Sequence, residues 1–400
     1  MDDHNASDLT PSQQSALVLA LLPVKQPRKL HKAIFEAGSA ERLIAQPSGY
    51  SAGSISPELI GPEPFQLFTE YRRDPSGSPS GSVLGGWVQQ AKHQLRHCQA
   101  QLVEWGSQGY PQMLREIPAP PPLLYVRGNV NALHLPGIAV VGSRNATAQG
   151  LGNAHSFSKE MAASGFSIIS GLALGIDSAA HAGALEAGGI TVGVMATGVD
   201  RIYPSRNQGL AENIIANNGC VISEFNLGTQ PLRSYFPQRN RVISGLSLGV
   251  LVVEAKVKSG SLITANTALQ QNREVFAIPG SIHNPLAKGC HQLIREGAHL
   301  VENAMDIVNE LQGGLSTKQL ELDMAAHDAD NISQSLPVPP LSTPPSSIPP
   351  LVQAIGHDTT SVDALAQQTG QPVDQLLVEL LTLEMEGWIT HVDGVIERIR

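Results

Sequence analysis

Leu232 to Gly245, LRSYFPQRNRVISG, gathers more binding chemistry than any other segment of the chain. Between Arg233 and Arg241 stand three guanidinium groups, the rings of Tyr235 and Phe236, a helix-opening Pro237 and the amide of Asn240. Positive groups can follow a phosphate backbone and flat rings can carry unpaired bases, so the combination fits single-stranded nucleic acid. It fits equally an arginine-rich helix start tied down by carboxylates, and the segment alone leaves both readings open.

The net charge of -9 argues against a nucleic-acid partner only until its distribution is read. Residues 1–137 hold 11 Lys/Arg and 11 Asp/Glu, and residues 138–312 hold 12 of each. The acidity lies in 313–350, with 1 basic against 4 acidic residues, and in 351–400, with 2 against 8. Within the neutral middle block, 233–258 sets Arg233, Arg239, Arg241, Lys256 and Lys258 against Glu254 alone. A basic patch can therefore exist on an acidic chain.

Cys98, Cys220 and Cys290 are scattered without CxxC spacing, which indicates neither a disulfide framework nor a zinc site and suits a reducing cytosol. The start MDDHNASDLTPSQQ is too polar for a signal peptide, and no apolar run approaches about 18 residues. A cytoplasmic protein without a membrane span is expected.

The scaffold for these residues is legible from about 138 onward. GIAVVG, FSIISG, ITVGVMATG, CVISE, LGVLVVEA and EVFAIPG are short, nearly continuous apolar runs, with helical stretches between most of them. Continuous hydrophobicity means strands covered on both faces, hence a parallel, doubly wound α/β sheet. Ligands of such sheets gather beyond the carboxyl ends of the strands. Those ends carry Gly142-Ser143-Arg144, Ser170-Gly171, Thr197-Gly198, Glu224, Glu254 with Lys256 to Ser261, and Pro279-Gly280-Ser281.

Upstream, SALVLALLPVKQPRKLHKAIFEAG predicts two helices meeting at a proline turn, with loops in 47–86. Downstream, 313–350 carries seven prolines in 38 positions and no apolar periodicity, so it reads as an extended spacer. Residues 351–400 read as three helices and a hairpin turning at Asp393-Gly394, the pattern of a winged helix. Its third helix has Asp374, Glu379, Glu384 and Glu386 and no Lys or Arg, which opposes binding to duplex phosphates. The expected division is a helical domain at 1–104, a core at 105–312, a linker at 313–350 and a winged helix at 351–400.

Three motifs sit at the strand ends. Gly142-Ser143-Arg144-Asn145 turns from a strand into a helix and suits an anion, but it lacks GxGxxG and no acidic residue ends the next strand, so a dinucleotide cofactor is not expected. Lys256 and Lys258 with Ser259, Gly260 and Ser261 form a second anion nest at a helix start, where Ser261 is also a possible N-cap. Asp177 and His181 stand four apart on one helix, but no nucleophile completes a triad, and a cap with a packed neighbour explains them better than catalysis. No GxxxxGK[ST] is present, and no metal or cofactor is expected.

GIAVVGSRNATAQG, SGLALGIDSAAHAGAL, TGVDRIYPSRN, SEFNLGTQP, FPQRNRVISGLSLGVLVVEAKVKSGSLITA, FAIPGS and GCHQLIREGAHLV resemble, in order and spacing, the DprA/Smf DNA-processing proteins. The resemblance is dense over about 105–311, takes in YPQMLREIPAPPPLLYVRGN, and extends loosely to an N-terminal domain of sterile-alpha-motif type and the winged helix. It implies an extended Rossmann-like core that binds single-stranded DNA without sequence preference, forms a homodimer and helps load the RecA recombinase during natural transformation. It places DNA contacts at Arg144 and Arg233, with Phe236, Arg239 and Asn240 nearby. Cys290 stands where relatives usually have asparagine.

The expected DNA-facing set is thus Gly142, Ser143, Arg144, Ser170, Gly171, Arg233, Phe236, Arg239, Asn240, Lys256, Lys258, Ser259, Gly260 and Ser261. Supporting roles are expected for Arg241, Glu224, Glu254, Asp177 and His181. Arg239 and Arg241 lie two apart and cannot share a helix face, and Arg241 is expected to pair with Glu224 or Glu254. The competing reading is a nucleotide-processing enzyme of the lysine-decarboxylase-like group, which shares this kind of core. Its PGGxGT signature is absent, and KSGSLITA occupies that loop. A third reading makes the acidic winged helix the working part of a protein adaptor.

Overall fold

The computed structural model describes residues 9–46, 54–76 and 81–311, and, towards the C-terminus, 351, 362–369, 376, 380, 383, 389–392 and 395–398. Each apolar run of the core forms a strand because it has a hydrophobic layer on either side. In the strand Gly137–Val141, Ile138 and Val140 face one layer while Ala139 and Val141 face the other.

One sheet holds β1 (Ala100–Glu104), β2 (Leu123–Gly128), β3 (Gly137–Val141), β4 (Ser167–Ser170), β5 (Thr191–Val194), β6 (Cys220–Ser223), β7 (Gly249–Val252), β8 (Glu274–Ala277) and β9 (His299–Leu300). Its order is β1-β2-β6-β5-β4-β3-β7-β8-β9. All pairings from β6 across to β9 are parallel, whereas β2 runs antiparallel to both β1 and β6. The chain winds outward from β3 to β6 and then returns to the other side of β3 as β7. The crevice above β3 and β7 is therefore the topological switch point, where doubly wound sheets bind ligands.

Helices Ala148–Ala163 and Ile176–Glu186 cover one face of the parallel strands, burying Ala154, Met161, Ala180 and Ala184 against Ile138, Val140 and Ile168. Helices Tyr235–Gly245, Gly260–Gln270 and Lys288–Arg295 cover the other, through Val242, Leu262, Ala265 and Leu293. Cys290 is fully buried in that layer with its Sγ 3.5 Å from the Val252 carbonyl, and burial pushes its thiol up to about 11.

The N-terminal helices, from Pro11–Leu21 to Val83–His97, build a separate apolar core that also takes in Leu102, Leu123, Tyr125 and Val199. Thr10 and Gln13 form a reciprocal capping box at the first of these helices. Gln13 Nε2 then donates to the Leu102 carbonyl at 2.8 Å, and the Tyr125 hydroxyl donates to Asn226, whose Nδ2 reaches the Ala20 carbonyl at 2.8 Å. These bonds tie the helices to the antiparallel margin of the sheet.

Met1–Leu322 forms one unit and Asp323–Arg400 a second. In the second, helix Val362–Thr369 and the hairpin of β10 (Ile389–Val392) and β11 (Val395–Arg398) share a small core of Leu351, Leu365, Leu376, Leu380, Leu383 and Ile396. The proline-rich spacer, the Asp393-Gly394 turn and residues 47–53 and 77–80 lie outside the described residues. Among the described residues no helix is long and apolar enough to cross a membrane.

Helix Ile176–Glu186 yields two tests. A Cβ at Gly183 would come within 2.2 Å of the His155 carbonyl oxygen, so the two helices on this face touch backbone to backbone. Gly183→Ala should lower the free energy of unfolding by roughly 1–3 kcal/mol in chemical denaturation, and an unchanged value would contradict this packing.

His181 Nδ1 lies 2.7 Å from Thr191 Oγ1, which itself donates to the Ile168 carbonyl, so Nδ1 carries the hydrogen and the buried Nε2 is bare. Burial, with Arg239 adding to it, lowers the pKa of His181 from 6.5 to about 3. The folded state therefore refuses a proton that the unfolded chain accepts. This contribution to stability is present above about pH 6.5 and is lost as pH falls towards 3. From pH 7 to pH 5 the chain should lose about 2 kcal/mol more than a His181→Leu variant; equal losses would contradict the neutral, buried imidazole.

Candidate nucleic-acid interface

A groove of about 740 Å3 opens at the switch point. Gly142, Ser143, Arg144 and Asn145 line one wall, Phe236, Pro237 and Asn240 another, and Lys256 to Ser261 a third, apart from Val257. Four helices, Ala148–Ala163, Ile176–Glu186, Tyr235–Gly245 and Gly260–Gln270, begin around it. Their positive dipole ends favour an anion there.

Each wall has a local cause. Glu254, at the end of β7, accepts from the backbone N–H and the hydroxyl of Thr147 at 2.9 and 2.6 Å. Thr147 is the N-cap of Ala148–Ala163, so this carboxylate fixes the turn that displays Ser143 and Arg144. Gly150 lets it approach, because a Cβ there would lie 2.4 Å from the carboxyl carbon of Glu254. On the opposite wall the N-cap is Ser259, and Ser261 is buried in the first turn of the helix, so Ser261 does not cap it.

Arg239 is not on the surface of the groove but in its floor, 5% exposed. Its guanidinium donates to the carbonyls of Gly171, at 2.7 Å, and Val194, and its Nε to Asn240 at 3.2 Å. The expectation of a direct DNA contact is corrected in that respect: the helix turns this side chain down onto the ends of β4 and β5. Asp177 accepts the N–H groups of Gly171 and Ala173 at 3.1 and 3.3 Å and stands close enough to stabilise the cation. Burial lowers the pKa of Arg239 to about 10, Asp177 opposing the shift, so it stays charged at neutral pH. Burial raises Asp177, and Arg239 draws it back.

Ser170 and Gly171 are likewise part of the interior. The Ser170 hydroxyl donates to the Val140 carbonyl at 2.6 Å, and both residues are buried because they end a central strand beneath the crest. His181 is buried one turn below Asp177, and the hydroxyl it touches, that of Thr191, is committed to the Ile168 carbonyl. Arg241, on the far side of the same helix as Arg239, pairs with Glu224 and donates to the Ala119 carbonyl. Burial raises the Glu224 carboxyl, and Arg241 offsets part of that rise. Tyr235 stacks on Phe225 with centroids 4.4 Å apart, which makes it a packing residue.

Exposed cations remain. Arg144, Lys256 and Lys258 project at the groove, and Arg233 lies exposed three residues before Phe236, although it is not part of the groove lining. None of the four is paired with a carboxylate among the described residues. The Arg144 guanidinium carbon sits 5.0 Å from the centroid of Phe236. Against the same ring lies Tyr203, centroid to centroid 6.0 Å, a residue of the TGVDRIYPSRN segment that was not among the expected DNA-facing residues. Among the described residues no group of three or more His, Cys, Asp or Glu is placed to hold a metal.

Residues 101–312 match the family model described as DNA recombination-mediator protein A, and residues 336–395 match the DprA winged helix domain. Protein Smf of Escherichia coli is 40% identical over 314 residues, covering 78% of this chain and 79% of that protein. DNA processing protein DprA of Streptococcus pneumoniae is 47% identical over 203 residues, covering 51% of this chain and 71% of its own length. The X-ray structure of the Streptococcus pneumoniae protein superposes with a TM-score of 0.61 at 35% identity, over 76% of this chain and 99% of that one. With the core model matched over 101–312 and the winged helix model after it over 336–395, the chain belongs to the DprA/Smf family of DNA-processing proteins.

Proposed function

We propose that this chain binds single-stranded DNA without reading its sequence and, as a non-enzymatic mediator, helps load the RecA recombinase in recombination and DNA uptake. The observation that carries the DNA reading is the gathering of Arg144, Lys256 and Lys258, unpaired among the described residues, with four helix starts in one groove of a core that is neutral overall. Contacts from such groups go to phosphates, and phosphate contacts position a strand without specifying bases. The names of the relatives, DNA processing protein and recombination-mediator protein, support the mediator role. A homodimer is part of the proposal, supported by the open edge at β9, beside which Leu300 and Met305 are each 50% exposed.

Four exposed cations on a single strand imply a log–log dependence of affinity on salt with a slope of about -3. Fluorescence anisotropy with an unstructured oligonucleotide should show that slope, and Arg144→Ala with Arg233→Ala should bring binding below detection. Undiminished binding by the double variant would overturn the assignment.

A further inference from the structure

Phe236 lines the groove and Tyr203, outside that lining, packs against it, and the surroundings of the two rings differ. Phe236 is half-buried, with the Arg144 guanidinium over its ring at 5.0 Å and Tyr203 tilted against it at 6.0 Å and 58°. That spacing is an ordinary edge-to-face contact and leaves no slot for a base between the rings. Tyr203 is 45% exposed, and Phe236 is its one aromatic neighbour among the described residues.

The segment that carries Tyr203 is held at both ends. Thr197 Oγ1 donates to the Arg201 carbonyl at 2.7 Å, and the Arg201 N–H to Gly198 at 3.0 Å. The Asp200 carboxylate accepts the Gly228 N–H at 3.0 Å. Beyond the ring, Asn207 is buried, and its Nδ2 donates to the Leu172 carbonyl at 2.7 Å and to Ser178 Oγ at 2.9 Å, next to Asp177 in the groove floor. The ring is therefore displayed on a fixed backbone, so little order has to be imposed when a ligand arrives.

Resting on the single-strand reading above, we infer that Tyr203 is the ring on which an unpaired base stacks, and that Phe236 is a positioning residue. Phe236 holds the Arg144 cation over one part of its surface and braces Tyr203 with another, so it serves the phosphate contact and supports the stacking ring. Tyr203 offers the open face. Every base has a π-face, so such a contact adds affinity without selecting sequence.

The full chain is titrated with two labelled oligomers of equal length, oligothymidylate and an abasic deoxyribose-phosphate strand. Tyr203→Ala should weaken oligothymidylate binding about ten-fold, leave the abasic strand unaffected and keep the salt slope. Tyr203→Phe should restore native affinity, and Phe236→Leu should weaken both oligomers because it acts through Arg144. Native affinity of Tyr203→Ala for oligothymidylate, or equal losses on both strands, would overturn the inference while leaving the single-strand reading intact. A native chain that binds neither oligomer would overturn that reading, and this inference with it.

Discussion

The Arg239 guanidinium joins three elements that would otherwise end separately at the crest of the sheet. From helix Tyr235–Gly245 it reaches the carbonyls that close β4 and β5, at Gly171 and Val194, and it faces the buried Asp177 at the start of helix Ile176–Glu186. Gly171 makes room for it, since a Cβ there would meet the guanidinium nitrogen at 2.5 Å. Burying a cation in this place is tolerable only because its donors and its charge are answered. Losing one member of such a pair leaves an uncompensated buried charge, a cost of about 3–5 kcal/mol. Phe236, Pro237 and Asn240 owe their place in the groove to this anchor.

From that anchor follows a separation of charges by depth. Arg239 and Arg241 are inward and answered, by carbonyls and Asp177 in one case and by Glu224 and Ala119 in the other. Arg144, Arg233, Lys256 and Lys258 are outward and unanswered among the described residues. Glu254 is the acidic residue nearest the switch point in sequence to either wall, yet it is buried and bound to Thr147, so it orders the Gly142-to-Asn145 turn while sitting below the surface that anions meet. A chain of net charge -9 can thus present a positive groove.

Much of this architecture was legible in the sequence. The six continuous apolar runs are β3 to β8, because strands buried on both faces need no polar alternation. Less legible were β1, with Gln101 and Glu104 in a five-residue strand, and β9, two residues long with both side chains exposed. The antiparallel margin of β1 and β2 depends on contacts with the N-terminal helices, which no local pattern announces. In LRSYFPQRNR the residue types were informative but their directions were not. Residues two apart on a helix point to opposite sides, and here both sides are lined with acceptors, so Arg239 as well as Arg241 turns inward. Tyr235 and Phe236 divide in the same way between Phe225 and the groove. Tyr203 sits in a loop without periodicity, and only the fold brings it to Phe236.

The central claim is that a single strand of DNA lies along the switch-point groove of the core. Amide hydrogen exchange of the full chain, with and without an unstructured oligonucleotide, tests it most directly. The account predicts added protection in 142–147, 235–240 and 256–262, where helix starts and exposed cations converge. Unchanged exchange in all three segments, with protection confined to 351–400, would contradict it.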